Sequence, residues 1–91
     1  MFVLISYDIQ DDKKRMKVSK LLENYGTRVQ YSVFECLITR EQLKAIKEKA
    51  KKIIDLKTDS IRFYPICDSC ISRIEITGIG EVSKDIDFYI I

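Results

Sequence analysis

The sequence predicts one α+β domain in two layers, a mainly antiparallel sheet with two helices on one face. Three observations predict it. Stretches of period-2 and period-3.6 hydrophobicity alternate along the chain in the order βαββαβ. The predicted strands carry apolar groups on both alternating faces. The 91 residues suffice for a single domain, residues 1–91, and not for two.

The first strand is Phe2-Val3-Leu4-Ile5-Ser6-Tyr7-Asp8. Phe2 and Leu4 line one face; Val3, Ile5 and Tyr7 line the other. That is how an interior strand covered on both sides reads. Asp8 stands where the strand runs into a loop, the end at which chemistry collects in open α/β sheets. An Asp there also ends strands and caps helices. Asp11 and Asp12 compete for the capping role.

A helix follows from about Asp12 to Tyr25. Val18, Leu21, Leu22 and Tyr25 keep the i, i+3, i+4, i+7 spacing of one buried face. Lys13, Lys14, Lys17 and Lys20 lie off that stripe. Gly26 is expected as the residue that stops the helix. From Thr27 to Ile38 the pattern is β. Val29, Tyr31 and Val33 share one face; Phe34, Cys36 and Ile38 share the other. The switch near Val33-Phe34 predicts a kink, a bulge or a tight reversal between two strands.

Thr39-Arg40-Glu41-Gln42 is a T-x-x-Q capping box. It opens a second helix, about Arg40 to Ile54, whose buried face is Leu43, Ile46, Ala50, Ile53 and Ile54. After a polar turn at Asp55 to Asp59, Ser60 to Ile66 alternates as a strand. Ile61 and Phe63 face one way, Arg62, Tyr64 and Ile66 the other. Pro65 restricts this strand to an edge or places Pro65 near its end. Cys67 to Cys70 is a short connection with small buried thiols. Ile71 to Thr77 alternates again as a strand, Gly78 and Gly80 mark a loop, and Ile86 to Ile91 is a last β-prone run.

This is a ferredoxin-like βαββαβ sandwich with extra C-terminal strands. Its two helices cover one face of the sheet, yet the strands are apolar on both. With no third helix, a homodimer packed sheet to sheet covers the second face. A domain this small buries only roughly two-thirds of its unfolded surface, so association also helps stability.

Composition narrows the chemistry. Hydrophobic residues are 46% and charged residues 33%, which indicates a globular chain rather than a disordered one. The net charge of +2 gives a weak overall field, so a nucleic-acid site must come from local clustering. The chain has no histidine, which excludes His-based acid–base catalysis, His metal ligands and Ser-His or Cys-His nucleophiles. Three cysteines, an odd number, with no signal-peptide pattern at Met1-Phe2-Val3, set the expectation of a reducing, cytoplasmic location. No apolar run approaches the roughly 20 residues of a membrane span.

Two constellations carry chemistry. Asp8 is the candidate acid and metal ligand. One carboxylate makes a poor metal site, but a two-fold axis near the strand end would bring in a second. Mg2+ accepts one or two carboxylates with water and substrate phosphate. Arg15, Lys17, Arg28 and Arg40, with the helix lysines, interleave with Tyr7, Tyr31 and Phe34. Such a set binds phosphate and stacks bases; the plain alternative is solvated helix surface and aromatic core. Cys67-Asp68-Ser69-Cys70 is a C-x-x-C without the second pair of ligands that a structural zinc needs. Joining two strands, it also lacks the helix that follows a thioredoxin-like dithiol.

Three segments together resemble the CRISPR-associated protein 2 family: V-L-I-S-Y-D-I-Q-D-D-K-K-R from Val3, R-V-Q-Y-S-V-F-E from Arg28 to Glu35, and S-I-R-F-Y-P-I-C from Ser60 to Cys67. The resemblance spans nearly the whole chain in order. It implies a ferredoxin-like homodimer whose C-terminal part, about residues 79–91, packs on the partner subunit. It implies a role in spacer acquisition, bridging the CRISPR-associated integrase and holding the duplex DNA to be acquired. It also implies metal-dependent endonuclease activity on RNA or DNA, with Mg2+ or Mn2+ bound by the strand-end Asp, here Asp8. Tyr7, Arg15, Arg28 and Phe34 fall on positions associated with that activity; Lys17 stands where some members carry Arg. In some systems nuclease activity is dispensable for acquisition. The competing reading is a toxin-like ribonuclease of related fold acting outside CRISPR.

Overall fold

A computed structural model of the chain describes residues 1–83. Its elements run β1 (Phe2–Asp8), α1 (Asp12–Glu23), β2 (Gly26–Gln30), β3 (Val33–Leu37), α2 (Arg40–Ile53), β4 (Ser60–Ile66) and a one-turn α3 (Asp68–Ile71). The strands form one antiparallel sheet in the order β2-β3-β1-β4. That is the expected βαββαβ arrangement.

β1 lies inside the sheet because both of its edges are paired. Val3 opposes Cys36 of β3 and Pro65 of β4; Ile5 opposes Phe34 and Phe63. Alternation sends Val3, Ile5 and Tyr7 to the helix side. There they form the core with Val18 and Leu22 of α1, Ile46 of α2, and Phe34 and Cys36 of β3. β4 is an edge strand, which lets Pro65 sit in it without removing an interior ladder bond. Ile61 and Phe63 pack on the core while Arg62 and Tyr64 are exposed.

The helix starts follow their caps. Asp11 is the N-cap of α1, and its carboxylate accepts from Lys14 N at 2.9 Å. Asp8 is thereby relieved of capping. The capping box at Thr39 forms in both directions, with Gln42 N to Thr39 Oγ1 at 3.1 Å and Thr39 N to Gln42 Oε1 at 2.9 Å. The switch of apolar face is a tight turn at Tyr31-Ser32, together with a bulge between Arg28 and Gln30.

Several expectations need correction. α1 ends at Glu23, and Gly26 is the first residue of β2 rather than a helix stop; its φ is not positive. Glycine is required there by close approach. A Cβ would meet the Glu35 carbonyl and lie 2.9 Å from Cys36 Cα. Ile71–Thr77 is not a strand. The amides of Cys70 through Ile74 are spent in local turns, among them Arg73 N to Cys70 O and Ile74 N to Ile71 O, and residues 74–77 join no ladder. The C-x-x-C therefore opens a helix instead of joining two strands, and Cys67 and Cys70 are exposed rather than buried. A third helix does exist, but it is four residues long.

The face of the sheet away from α1 and α2 is only partly covered. Leu4, Ser6, Val33, Glu35 and Leu37 are half-buried there, while Val29 and Tyr64 remain 40% and 44% exposed. The chain after α3 returns toward β2 and β3. Ser83 donates to Glu35 Oε1 through both its amide, at 3.0 Å, and its hydroxyl, at 2.8 Å. The predicted strand at Ile86–Ile91 lies outside the described residues.

Two outcomes follow. Gly26→Ala puts a Cβ against backbone that cannot yield without opening the β2–β3 pair, and urea unfolding should show a loss of about 1–3 kcal/mol. The second concerns Asp59, which bridges two loops by accepting from Asp55 N at 2.9 Å and Gln10 N at 3.4 Å. The Asp55 amide, first among these contacts, holds the Asp59 carboxyl below its ordinary 3.8. A carboxyl lowered by folding stabilises above its unfolded pKa, and the gain fades as pH falls through the lower folded value. The melting-temperature gap between wild type and Asp59→Asn should thus be constant near neutrality and narrow below about pH 3.8.

Candidate nucleic-acid interface

A cleft of about 610 Å³ lies between α1 and the β2–β3 turn. Tyr7, Arg15 and Arg28 line it, with Met16, Ser19, Lys20, Glu23, Tyr31 and Ser32. Three of the predicted site residues thus meet in one place. They do so because positions 15, 16, 19, 20 and 23 fall on one side of α1, and because Arg28 lies across from Phe34 on the helix side of the sheet.

Arg28 is held from three directions. Its guanidinium donates to Ser19 Oγ, pairs with Glu23 Oε1 at 3.7 Å, and lies 5.5 Å from the centre of the Phe34 ring. Arg15 donates to the Ile9 carbonyl at 3.0 Å and pairs with Asp12. Both side chains stay nearly half exposed, at 45% and 44%. They are therefore fixed and still have N–H groups facing water. Arg15, Lys20 and Arg28 outnumber the single carboxylate of Glu23 in the lining, so the cleft is locally cationic although the chain is nearly neutral.

The aromatics divide by burial. Phe34 is fully buried and Tyr7 nearly so; their rings stack at 6.4 Å. Phe34 floors the site beneath Arg28 rather than meeting a ligand, and Tyr7 directs its hydroxyl to the Tyr31 carbonyl at 3.4 Å. Tyr31, at 94% exposure, is the ring free to stack. Ser19 was the residue that sequence reasoning missed. Its only signal was a hydroxyl beside Val18 on the buried stripe; it is 7% exposed and anchors Arg28.

Asp8 and Lys17 are elsewhere. Lys17 is exposed on α1 and does not line the cleft. Asp8 is exposed at the end of β1, paired with Ser60, on the opposite face from Tyr7. Among the described residues its carboxylate makes no salt bridge. Arg62 lies diagonally across on the same face. Its pKa is raised by the Tyr64 side chain and, more weakly, by the Asp8 carboxylate. A carboxylate is the hard oxygen donor that Mg2+ and Mn2+ take. The donor type fits, but the number does not. Among the described residues no three His, Cys, Asp or Glu side chains gather, so this strand end does not by itself complete a metal site. No helix among them is long and apolar enough to cross a membrane.

The chain is similar to known proteins over most of its length. The family model described as CRISPR associated protein Cas2 matches residues 1–74. The chain is 47% identical over 90 residues to CRISPR-associated endoribonuclease Cas2 1 of Chloroflexus aurantiacus, covering 94% of this chain and 97% of that protein. Among solved structures it is similar to Cas2 of Streptococcus pyogenes, with a TM-score of 0.77, 43% identity, and coverage of 86% of this chain and 100% of that one. It is also similar to a chain of a partial Cas6-RT-Cas1–Cas2 complex, with a TM-score of 0.73, 36% identity, and coverage of 93% and 96%.

The cleft geometry predicts the behaviour of Arg28 variants. Arg28→Ala removes one of two partners of the buried Ser19 hydroxyl, leaving only its 3.5 Å donation to Glu23 Oε1, and should destabilise by about 1–2 kcal/mol in denaturant unfolding. Arg28→Lys should recover less than half of that, because an ammonium cannot reach Ser19 and Glu23 as a planar fork.

Proposed function

The chain belongs to the CRISPR-associated protein Cas2 family, and from that premise we propose that it acts in CRISPR spacer acquisition as a homodimeric adaptor. The dimer joins the CRISPR-associated integrase and holds the duplex DNA to be inserted. Family membership favours this over a toxin-like ribonuclease outside CRISPR.

The observation that carries the reading is the incomplete cover of the sheet's second face, where Phe2 is buried but the apolar residues beyond it are not. α1 and α2 bury Val3, Ile5 and Tyr7, while the other face leaves Val29 and Tyr64 in water beside half-buried Leu4 and Leu37. A second copy laid face to face removes that apolar surface from solvent. The cationic cleft then appears twice on the outside of the dimer. Arg15 and Arg28 take phosphates in fixed geometry, and Lys17 extends the basic surface along α1 as a point charge. Contacts of this type are sequence-independent and salt-sensitive, which suits a protein that must hold any captured duplex. The similar chain that occurs in a complex with Cas1 supports the integrase as partner.

Nuclease activity is the second part of the reading, supported by the relatives' names and by Asp8. Asp8 is on the face assigned to the dimer, so pairing gives two carboxylates at one strand end. The Asp8 carboxylates would hold Mg2+ or Mn2+, which would supply the positive charge that phosphodiester cleavage of RNA or DNA needs. In this chain the role of Asp8 is to present a carboxylate free of capping duty.

Wild type and Asp8→Asn should be assayed on RNA and duplex DNA with Mg2+, Mn2+ or EDTA, alongside duplex binding across a salt series. The expected result is equal duplex affinity for both proteins, with metal-dependent cleavage confined to wild type. Arg15→Ala should weaken binding of all duplex sequences alike and lower the salt slope by about 1. A folded wild type that binds no duplex even at low salt contradicts the adaptor reading. Metal-dependent cleavage that survives in Asp8→Asn contradicts the assignment of Asp8.

A further inference from the structure

The spacer-acquisition reading leaves Cys67 and Cys70 without a task. They stand at the corner where β4 ends and α3 begins. The Cys67 carbonyl accepts from Cys70 N at 2.9 Å and from Ile71 N at 3.0 Å, closing a single helical turn. Three-residue spacing within such a turn puts both side chains on one side. Both thiols are free and exposed. Cys67 Sγ caps no backbone amide and lies 3.2 Å from Ser69 Oγ. The third cysteine, Cys36, is fully buried against the helices.

We propose that Cys67 and Cys70 form a dithiol site that exchanges with low-molecular-weight disulfides, Cys67 attacking and Cys70 resolving. The Cys67 thiolate attacks one sulfur of RS–SR, the S–S bond breaks, and RS⁻ leaves and takes a proton. The protein then carries a Cys67–S–S–R mixed disulfide. Deprotonated Cys70 attacks the Cys67 sulfur and expels the second RS⁻. The two thiols are oxidised by two electrons to one disulfide, and RS–SR is reduced to two RSH. The link ties the end of β4 to α3, at the corner from which residues 72–83 leave toward the open sheet face.

Electrostatics around the pair give the two sulfurs different parts. Hydrogen bonds from the Ser69 hydroxyl first, and then from the Cys70 thiol, draw Cys67 down from 9.0 to about 7. Cys70 keeps the shared proton and is raised. Burial pushes Cys36 up to about 11, which removes it from thiolate chemistry near neutrality. Thiol–disulfide exchange is fastest for an attacking thiol whose pKa is near the ambient pH. Relative to an exposed thiol of pKa 9, a pKa near 7 raises the thiolate fraction at pH 7 about fiftyfold and lowers intrinsic nucleophilicity about tenfold, a net gain of about fivefold.

The test uses the full chain, freed of metal with a chelator and reduced. It is equilibrated with oxidised and reduced glutathione, quenched with a maleimide and read by intact and peptide mass. Wild type should lose two thiols together, in the peptide holding Cys67 and Cys70, and keep Cys36 free. Cys70→Ser should trap a glutathione adduct on Cys67, and Cys67→Ser should form none within the same time. At pH 7 Cys67 should alkylate about threefold faster than a free cysteine peptide of pKa about 8.5, with a pH midpoint near 7. Independent adducts on both cysteines of wild type, disulfides between chains, or a Cys67 midpoint near 9 overturn the proposal. So does purified protein that retains zinc, near one per two chains, and is thereby protected from the disulfide. None of these outcomes depends on nuclease activity or DNA binding.

Discussion

The double pairing of β1 is the constraint on which the rest of the molecule depends. Its backbone is bonded to β3 on one edge and to β4 on the other, so its register cannot slip by one residue without exposing Val3, Ile5 and Tyr7. The same lock fixes the strand's last two residues. Tyr7 is forced toward the helices, where it joins Phe34 beneath the arginine cleft, and Asp8 is forced to the opposite face. One strand end therefore serves two surfaces that cannot exchange residues.

This separation gives each surface its own chemistry. On the helix side the charges are pre-set: Arg28 is braced by Ser19, Glu23 and the Phe34 ring, and Arg15 by Ile9 and Asp12. Little side-chain entropy remains to be lost when phosphate binds. On the open side Asp8 has no cap to make, because Asp11 makes it, and Arg62 is its cationic neighbour. The open side is also where residues 74–83 return and where Glu35 holds Ser83. The Cys67–Cys70 corner lies at the start of that return.

The sequence was most legible where a residue's local chemistry and its long-range packing agree. The T-x-x-Q box set the start of α2, and strict alternation set β4, where Pro65 left an edge strand or a strand end as the two choices and the sheet order makes it an edge. Legibility failed where a distant partner decides the outcome. Gly26 looked like a helix stop from its neighbours alone; it is glycine because β3 passes too close for a Cβ. Ile71–Thr77 alternates as a strand should, but its first amides are committed to the turns after Cys67. Within the site, Arg15, Arg28 and Tyr7 were open candidates by residue type and were singled out by the resemblance of their segments to the Cas2 family, while Ser19 was hidden because a small buried hydroxyl has no pattern of its own. Lys17 sits at a different angle around α1 from Arg15, which leaves it outside the cleft.

On the proposed reading the half-covered sheet face is where two copies meet, bringing their Asp8 residues to one place. Sedimentation equilibrium of wild type and Tyr64→Glu tests it most directly, with circular dichroism as the check that both are folded. Tyr64 is on that face and 44% exposed in one chain, so the substitution leaves the single chain intact and charges the interface. Wild type should sediment at twice the mass of one chain, and folded Tyr64→Glu should shift toward the single-chain mass. A wild type that sediments as one chain at every concentration, or a Tyr64→Glu that associates as tightly as wild type, would contradict it.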